Sequence, residues 1–147
     1  MATSQSARVR WLGDLVSGTG RATAVSSQQF DDLPVGWPAR TEGPTGRTTP
    51  EELLAAAHAT CFAMALSAKL GRVGTPPTSL DVTVTVTFDR IEDAWMVTHS
   101  HLDVCGTVAG MSAEAFQQAA REAKETCLIS RALRGNVELT VNAALAD

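Results

Sequence analysis

The nine residues from 81 to 89, DVTVTVTFD, alternate polar and apolar without a slip, placing Val82, Val84, Val86 and Phe88 on one side. A period of two predicts a strand with one buried face. Trp95 to Val104 is predicted to be its antiparallel partner, with Glu92 and Asp93 in the turn between them. Arg8 to Leu12 and Gly20 to Ser26 predict two short strands joined through Ser17, Gly18 and Gly20, and Val137 to Val141 predicts a closing strand.

The pattern becomes helical twice. Leu53 to Ala68 contains no Asp, Glu, Lys or Arg, and it follows a helix-start signal: Thr49 as N-cap, Pro50 at the first helical position and Glu52 completing a T-x-x-E capping box. Gly71 and Gly74, then Pro76 and Pro77, predict its end. A second helix is predicted from about Ser112, with Phe116, Ala119, Ala120, Ala123 and Cys127 on one apolar face. The stretch from Asp31 to Thr49, DDLPVGWPARTEGPTGRTT, reads as a long functional loop. The order of strands, helix, strands, helix and strand predicts a single α+β domain with helices against antiparallel sheet.

A helix apolar on nearly every side needs cover all round, and a chain of 147 residues has few elements to spare. This predicts a homodimer, with two copies of the 50–70 helix packed inside a shared shell. The uncharged run from 53 to 68 is shorter than the ~20 residues of a membrane span, so it is expected to be a buried helix. Net charge is −4 and the twelve Lys and Arg are scattered, which argues against nucleic acid or an anionic membrane as partner. The opening MATSQSARVRW has no apolar signal region, and three cysteines in that context point to a reducing, cytoplasmic setting.

Cys61 and Cys127 each fall on the apolar stripe of a predicted helix. A buried thiol is ordinarily inert core filling unless a cation favours its thiolate. Arg40, in the polar loop, and Glu51, which the capping box leaves unexplained, could form an Arg–Glu pair that does so. Glu51 and Cys61 are ten residues apart on one helix, ~15 Å along its axis and on different faces. If both act together, Glu51 should come from the partner subunit, with the two long helices crossing antiparallel. A second helix-borne cysteine, able to meet the first only through tertiary packing, suits a peroxidatic and resolving pair. Cys105, without a charged neighbour, reads as structural. His99 and His101 alternate on one strand face but lack a third metal ligand, and His58, one turn before Cys61, reads as a satisfied polar group inside the dimer. Trp37, Phe62 and Met64 could line an apolar pocket, although core packing is the default for each.

The run from Arg40 to Ser67, with R-T-E-G and P-E-E-L-L-A-A-A-H-A-T-C-F-A-M-A-L-S, and the later A-K-E-T-C-L-I-S-R-A-L resemble the OsmC/Ohr family of osmotically inducible and organic hydroperoxide resistance proteins. The wording is closer to the OsmC branch. The resemblance implies antiparallel sheets wrapped around long central helices in an intertwined homodimer, with active sites at the subunit interface. It implies a thiol peroxidase without metal or organic cofactor, acting on organic hydroperoxides and recycled by an external dithiol such as one of lipoyl type. Cys61 matches the peroxidatic cysteine, Cys127 the resolving one, Glu51 the acidic residue of the P-E motif and Arg40 the arginine of the OsmC branch. Arg21, after Gly20, is the looser match to the arginine of the Ohr branch. Leu128 stands where the family often has proline, which leaves open whether a helix break positions Cys127. Such cysteines would also suit a redox-sensing disulfide switch, or a non-catalytic dimeric scaffold.

Overall fold

The alternating segments become strands close to where their periodicity placed them. A computed structural model describes residues 1–146, which divide into two compact units, one of Met1–Pro50 and one from Glu51 onward. In the first, β1 (Ala7–Leu12), β2 (Thr19–Ala24) and β3 (Leu33–Val35) form an antiparallel sheet in that order. The β1–β2 turn is held by the Asp14 carboxylate, which accepts from the Val16 and Ser17 N–H groups, each at 2.8 Å. Gly18 is obligatory there, since a Cβ would lie 2.1 Å from the Asp14 carbonyl oxygen.

The 31–49 segment is not the bare loop its composition suggested. It contains β3 and a short helix, α1 (Trp37–Thr41), with Pro38 in its first turn. An isolated bridge between Val35 and Thr48 closes the segment on itself. Elements of three and five residues are too short to display a period, so composition alone could not reveal them.

The second unit contains α2 (Pro50–Arg72), β4 (Ser79–Ile91), β5 (Ala94–Thr107), α3 (Ala113–Thr126), α4 (Leu128–Leu133) and β6 (Glu138–Leu145). β4 and β5 form the expected antiparallel hairpin, turning through Glu92 at φ 54°. β6 corrects the expectation of purely antiparallel sheet: it lies parallel to β5, giving a mixed sheet in the order β4-β5-β6. The physical reason is the connection. Two helices separate β5 from β6, a crossover long enough to return the chain in the same direction.

One face of this sheet carries the core. Leu102 and Val104 of β5 meet Phe62, Leu66 and Leu70 of α2 and Phe116, Ala120 and Ala123 of α3, all buried. Ser112 caps α3, its hydroxyl accepting from the Ala115 N–H at 3.2 Å. Helix α2 continues through Gly71 to Arg72, and Gly74 at φ 82° turns the chain away. At 23 residues it is longer than its uncharged run, and by length and apolarity it could cross a membrane. Its buried stripe, however, carries Glu51 and His58 beside Phe62, Leu66 and Leu70, a polar pattern suited to a protein core. The remaining faces of α2 are less covered, and Met64 is 68% exposed.

Candidate active site

Cys61 lies on α2 beside Phe62, half-buried at the margin of the core. Cys127 arrives from another element and belongs to the buried cluster against which Cys61 packs. The sequence had put Cys127 within a continuous helical face. Instead α3 stops at Thr126 and α4 starts at Leu128, leaving Cys127 at the junction with φ −58° and ψ 128°. The break therefore forms without proline, and the Leu128 side chain points outward, 69% exposed.

That junction sets the chemistry of Cys127. Its side chain is only 1% exposed, and burial pushes the thiol above its ordinary pKa, with the neighbouring Cys61 adding to the rise. As the N-cap of α4 it makes no side-chain capping bond. The N–H groups of Ile129 and Ser130 and the Ser130 hydroxyl nevertheless face the sulfur and partly offset the rise. Cys127 is thus a protonated thiol in the cluster beside Cys61.

Above this pair sits His58, fully buried on α2. Its Nδ1 is 2.8 Å from the Ser100 hydroxyl on β5, and its Nε2 is 2.8 Å from the Ser130 hydroxyl on α4. Burial lowers its pKa, so the ring is neutral, and one nitrogen donates while the other accepts. His58 is satisfied, as expected, by serines of its own chain. Ser100 and Ser130, both fully buried, escaped the sequence reading. A signal for Ser130 existed: it stands three residues after Cys127, the spacing of a helix cap to its third helical residue.

The other candidates are distributed as follows. Glu51 lies in the first turn of α2 and is 8% exposed. Arg40 belongs to α1 in the N-terminal unit, its guanidinium 5.4 Å from the centre of the Trp37 ring. Arg21 on β2 pairs with the Asp32 carboxylate at 3.4 Å and donates to the Asp32 carbonyl at 3.2 Å. Phe62 and Met64 do not line one pocket. Phe62 is sealed in the core, whereas Met64 borders an open groove with Ala63, Ser67, Ala68, Pro77 and Leu80. Cys105 is exposed on β5 opposite Asp81 rather than buried. His99 pairs with Glu138 at 3.0 Å, and His101 meets Asp103 at 3.3 Å and the Thr140 hydroxyl at 2.5 Å. Among the described residues, no group of three or more His, Cys, Asp or Glu is placed to hold a metal ion.

The profile of the OsmC-like protein family matches residues 43–142, the span that carries both cysteines. The chain belongs to that family. It is 36% identical over 139 residues to peroxiredoxin OsmC of Escherichia coli K12, covering 95% of this chain and 96% of the relative. It is 34% identical over 122 residues to organic hydroperoxide resistance protein-like 1 of Staphylococcus saprophyticus, covering 79% of this chain and 82% of that one. In three dimensions it resembles the organic hydroperoxide resistance protein OhrB of Bacillus subtilis, with a TM-score of 0.72, 24% identity, and 94% and 97% of the two chains covered. This last likeness supports the OsmC-like α+β fold with its mixed and antiparallel sheets.

Proposed function

We propose that this OsmC-like chain is a thiol peroxidase that reduces organic hydroperoxides to alcohols. The observation that carries the reading is the convergence of Cys61 and Cys127, from α2 and the α3–α4 junction, on one buried cluster, where Cys61 is among the groups that act on the Cys127 thiol. Two cysteines kept only as core filling have no need to converge from separate elements. The names of the E. coli and S. saprophyticus relatives point to the same chemistry.

In this reading the Cys61 thiolate attacks the terminal oxygen of the hydroperoxide. The O–O bond breaks, the alkoxide takes a proton and leaves as alcohol, and Cys61 becomes a sulfenic acid. Arg40, oriented by Glu51, stabilises the negative charge that develops on the leaving oxygen. Arg21 is the second choice for that role. Cys127 then condenses with the sulfenic acid, releasing water and forming the Cys61–Cys127 disulfide. An external dithiol, of lipoyl type in our proposal, returns both sulfurs to thiols.

The working form we propose is a homodimer in a reducing cytoplasm. Each chain acts as one OsmC-like domain, and the incompletely covered faces of α2 pack against the partner's. Glu51 is then contributed across the interface.

The test is single-turnover consumption of cumene hydroperoxide by wild type, Cys61→Ser and Cys127→Ser. Loss of consumption in the first, and one equivalent consumed with accumulating sulfenic acid in the second, are expected. Consumption that survives Cys61→Ser would refute the assignment. Repeated turnover with a dithiol distinguishes an enzyme from a disulfide switch, which stops after one equivalent.

A further inference from the structure

Helix α4 is seated in the core by a polar residue. Of its residues only Ser130 is fully buried, while Leu128, larger and apolar, is 69% exposed. Ile129 packs partly against the core cluster. A helix of six residues is too short to persist alone, so its place depends on what ties it down. The Ser130 hydroxyl lies 2.8 Å from Nε2 of His58, itself fully buried on α2. Nδ1 of the same ring lies 2.8 Å from the Ser100 hydroxyl on β5, so the imidazole cannot turn away without leaving a buried polar atom unpaired. The chain positions of the two ends matter. His58 stands three residues before Cys61 on α2, and Ser130 stands three residues after Cys127, the N-cap of α4. Residues three apart on a helix are neighbours on one face. The Arg131 N–H donates to the Cys127 carbonyl at 3.0 Å, closing the turn that contains Ser130. One hydrogen bond therefore joins the turn that carries Cys61 to the turn that starts at Cys127.

We propose that His58 and Ser130 are positioning residues for disulfide formation, their hydrogen bond strapping the Cys127 turn to the Cys61 turn. The inference rests on the peroxidase reading above. In that step the Cys127 sulfur bonds to the Cys61 sulfur, the Cys61 S–O bond breaks, and the oxygen leaves as water with the Cys127 proton. Cys127 is oxidised and Cys61 reduced, the sulfenic acid being the oxidant, and no proton passes through the strap. The imidazole stays neutral throughout, as its burial requires. What the strap supplies is proximity. Two sulfurs on separate elements react quickly only if their backbones are held in a productive geometry. Cys127 stands at the junction of two helices, and such a junction is a pivot. A strap one turn beyond the pivot removes that freedom.

The test compares wild type with Ser130→Ala, His58→Leu, His58→Gln and Ser100→Ala. Two readings are taken: the rate of disulfide formation after one equivalent of cumene hydroperoxide, and the equilibrium of the Cys61–Cys127 disulfide with glutathione. Ser130→Ala and His58→Leu should lower both about tenfold, the worth of one buried hydrogen bond left unmade. Dimedone trapping should meanwhile show sulfenic acid forming at close to the wild-type rate. His58→Gln keeps a donor and an acceptor but takes up no proton, and should stay within about threefold of wild type. Ser100→Ala removes a bond from the same buried ring but none to α4. It should lower Tm as Ser130→Ala does, yet leave both cysteine readings within about threefold of wild type. A full loss in His58→Gln would make the ring a proton carrier, and equal losses in Ser100→Ala and Ser130→Ala would make it core filling. Either result overturns the proposal, as do wild-type readings in Ser130→Ala. If substitutions prevent folding, wild type alone decides. The ring ¹⁵N shifts of His58 should be those of a neutral imidazole bonded at both nitrogens in the dithiol and the disulfide forms, and loss of that signature in the disulfide form would overturn the strap. A wild type that consumes no peroxide would overturn the peroxidase reading, whereas the glutathione equilibrium would still read the strap.

Discussion

Replacing Gly106 by alanine should loosen the junction that presents Cys127, although Gly106 is remote from it in sequence. Gly106 lies on β5 where the Phe116 ring of α3 crosses the strand. A Cβ added there would stand 2.4 Å from Phe116 Cζ, 2.7 Å from Cε2 and 3.2 Å from Leu80 Cδ2. Phe116 is fully buried, so its ring cannot swing into solvent. The strain falls on α3, the helix that ends at Cys127. Overpacking of this kind costs about 1–3 kcal/mol. Against it stands the gain of roughly 0.5–1 kcal/mol from replacing a flexible glycine inside a strand. Mid-range values leave a net loss of about 1 kcal/mol, which for a domain of this size lowers Tm by roughly 2–4 °C. Differential scanning calorimetry measures it directly, and the double variant with Phe116→Leu supplies a sharper check. Because leucine lacks the offending ring atoms, the two substitutions should couple favourably by about 1 kcal/mol or more. An unchanged melting temperature for Gly106→Ala, or strictly additive effects in the double variant, would refute the close approach of helix and strand.

Three other outcomes follow from the same coordinates. His58 has its pKa lowered by burial below the ordinary value of 6.5, so the unfolded chain binds that proton first. Its contribution to stability is therefore complete above about 6.5 and declines as pH falls from there through the lowered folded value; urea midpoints against pH should show this component, and His58→Gln should remove it. Glu92 turns the β4–β5 hairpin at φ 54°, a region costly for a side-chain-bearing residue, so Glu92→Gly should raise stability by about 0.5 kcal/mol; a lower urea midpoint would contradict it. Cys105→Ser should leave peroxide consumption and the Cys61–Cys127 disulfide within about twofold of wild type, because its thiol is exposed on the outer face of the sheet; loss of the disulfide by mass spectrometry would reinstate Cys105 as a participant.

Much of the fold could be read from periodicity because each strong pattern reports one face meeting the core. The valines of β4, the capped apolar run of α2 and the 3.6 period of α3 are local, so their elements appeared near the expected bounds. β3 and α1 were hidden by brevity, lying in a segment whose prolines and glycines look like loop. Both candidate cysteines could be singled out from the sequence, since a thiol in an uncharged helix needs explaining. The pocket expected from Phe62 and Met64 failed because residues two apart on a helix face apart, one into the core and one outward.

What the sequence determined by itself was therefore the longer strands and helices, the two candidate cysteines and the family. Tertiary structure alone decided that β6 runs parallel to β5, since hydrophobic periodicity carries no strand direction. It decided that the chain breaks at Cys127, so that the thiol turns into the buried cluster against which Cys61 packs. It also made two ordinary serines into the partners of His58, 42 and 72 residues away, because burial obliges an imidazole to find hydrogen bonds wherever packing brings them.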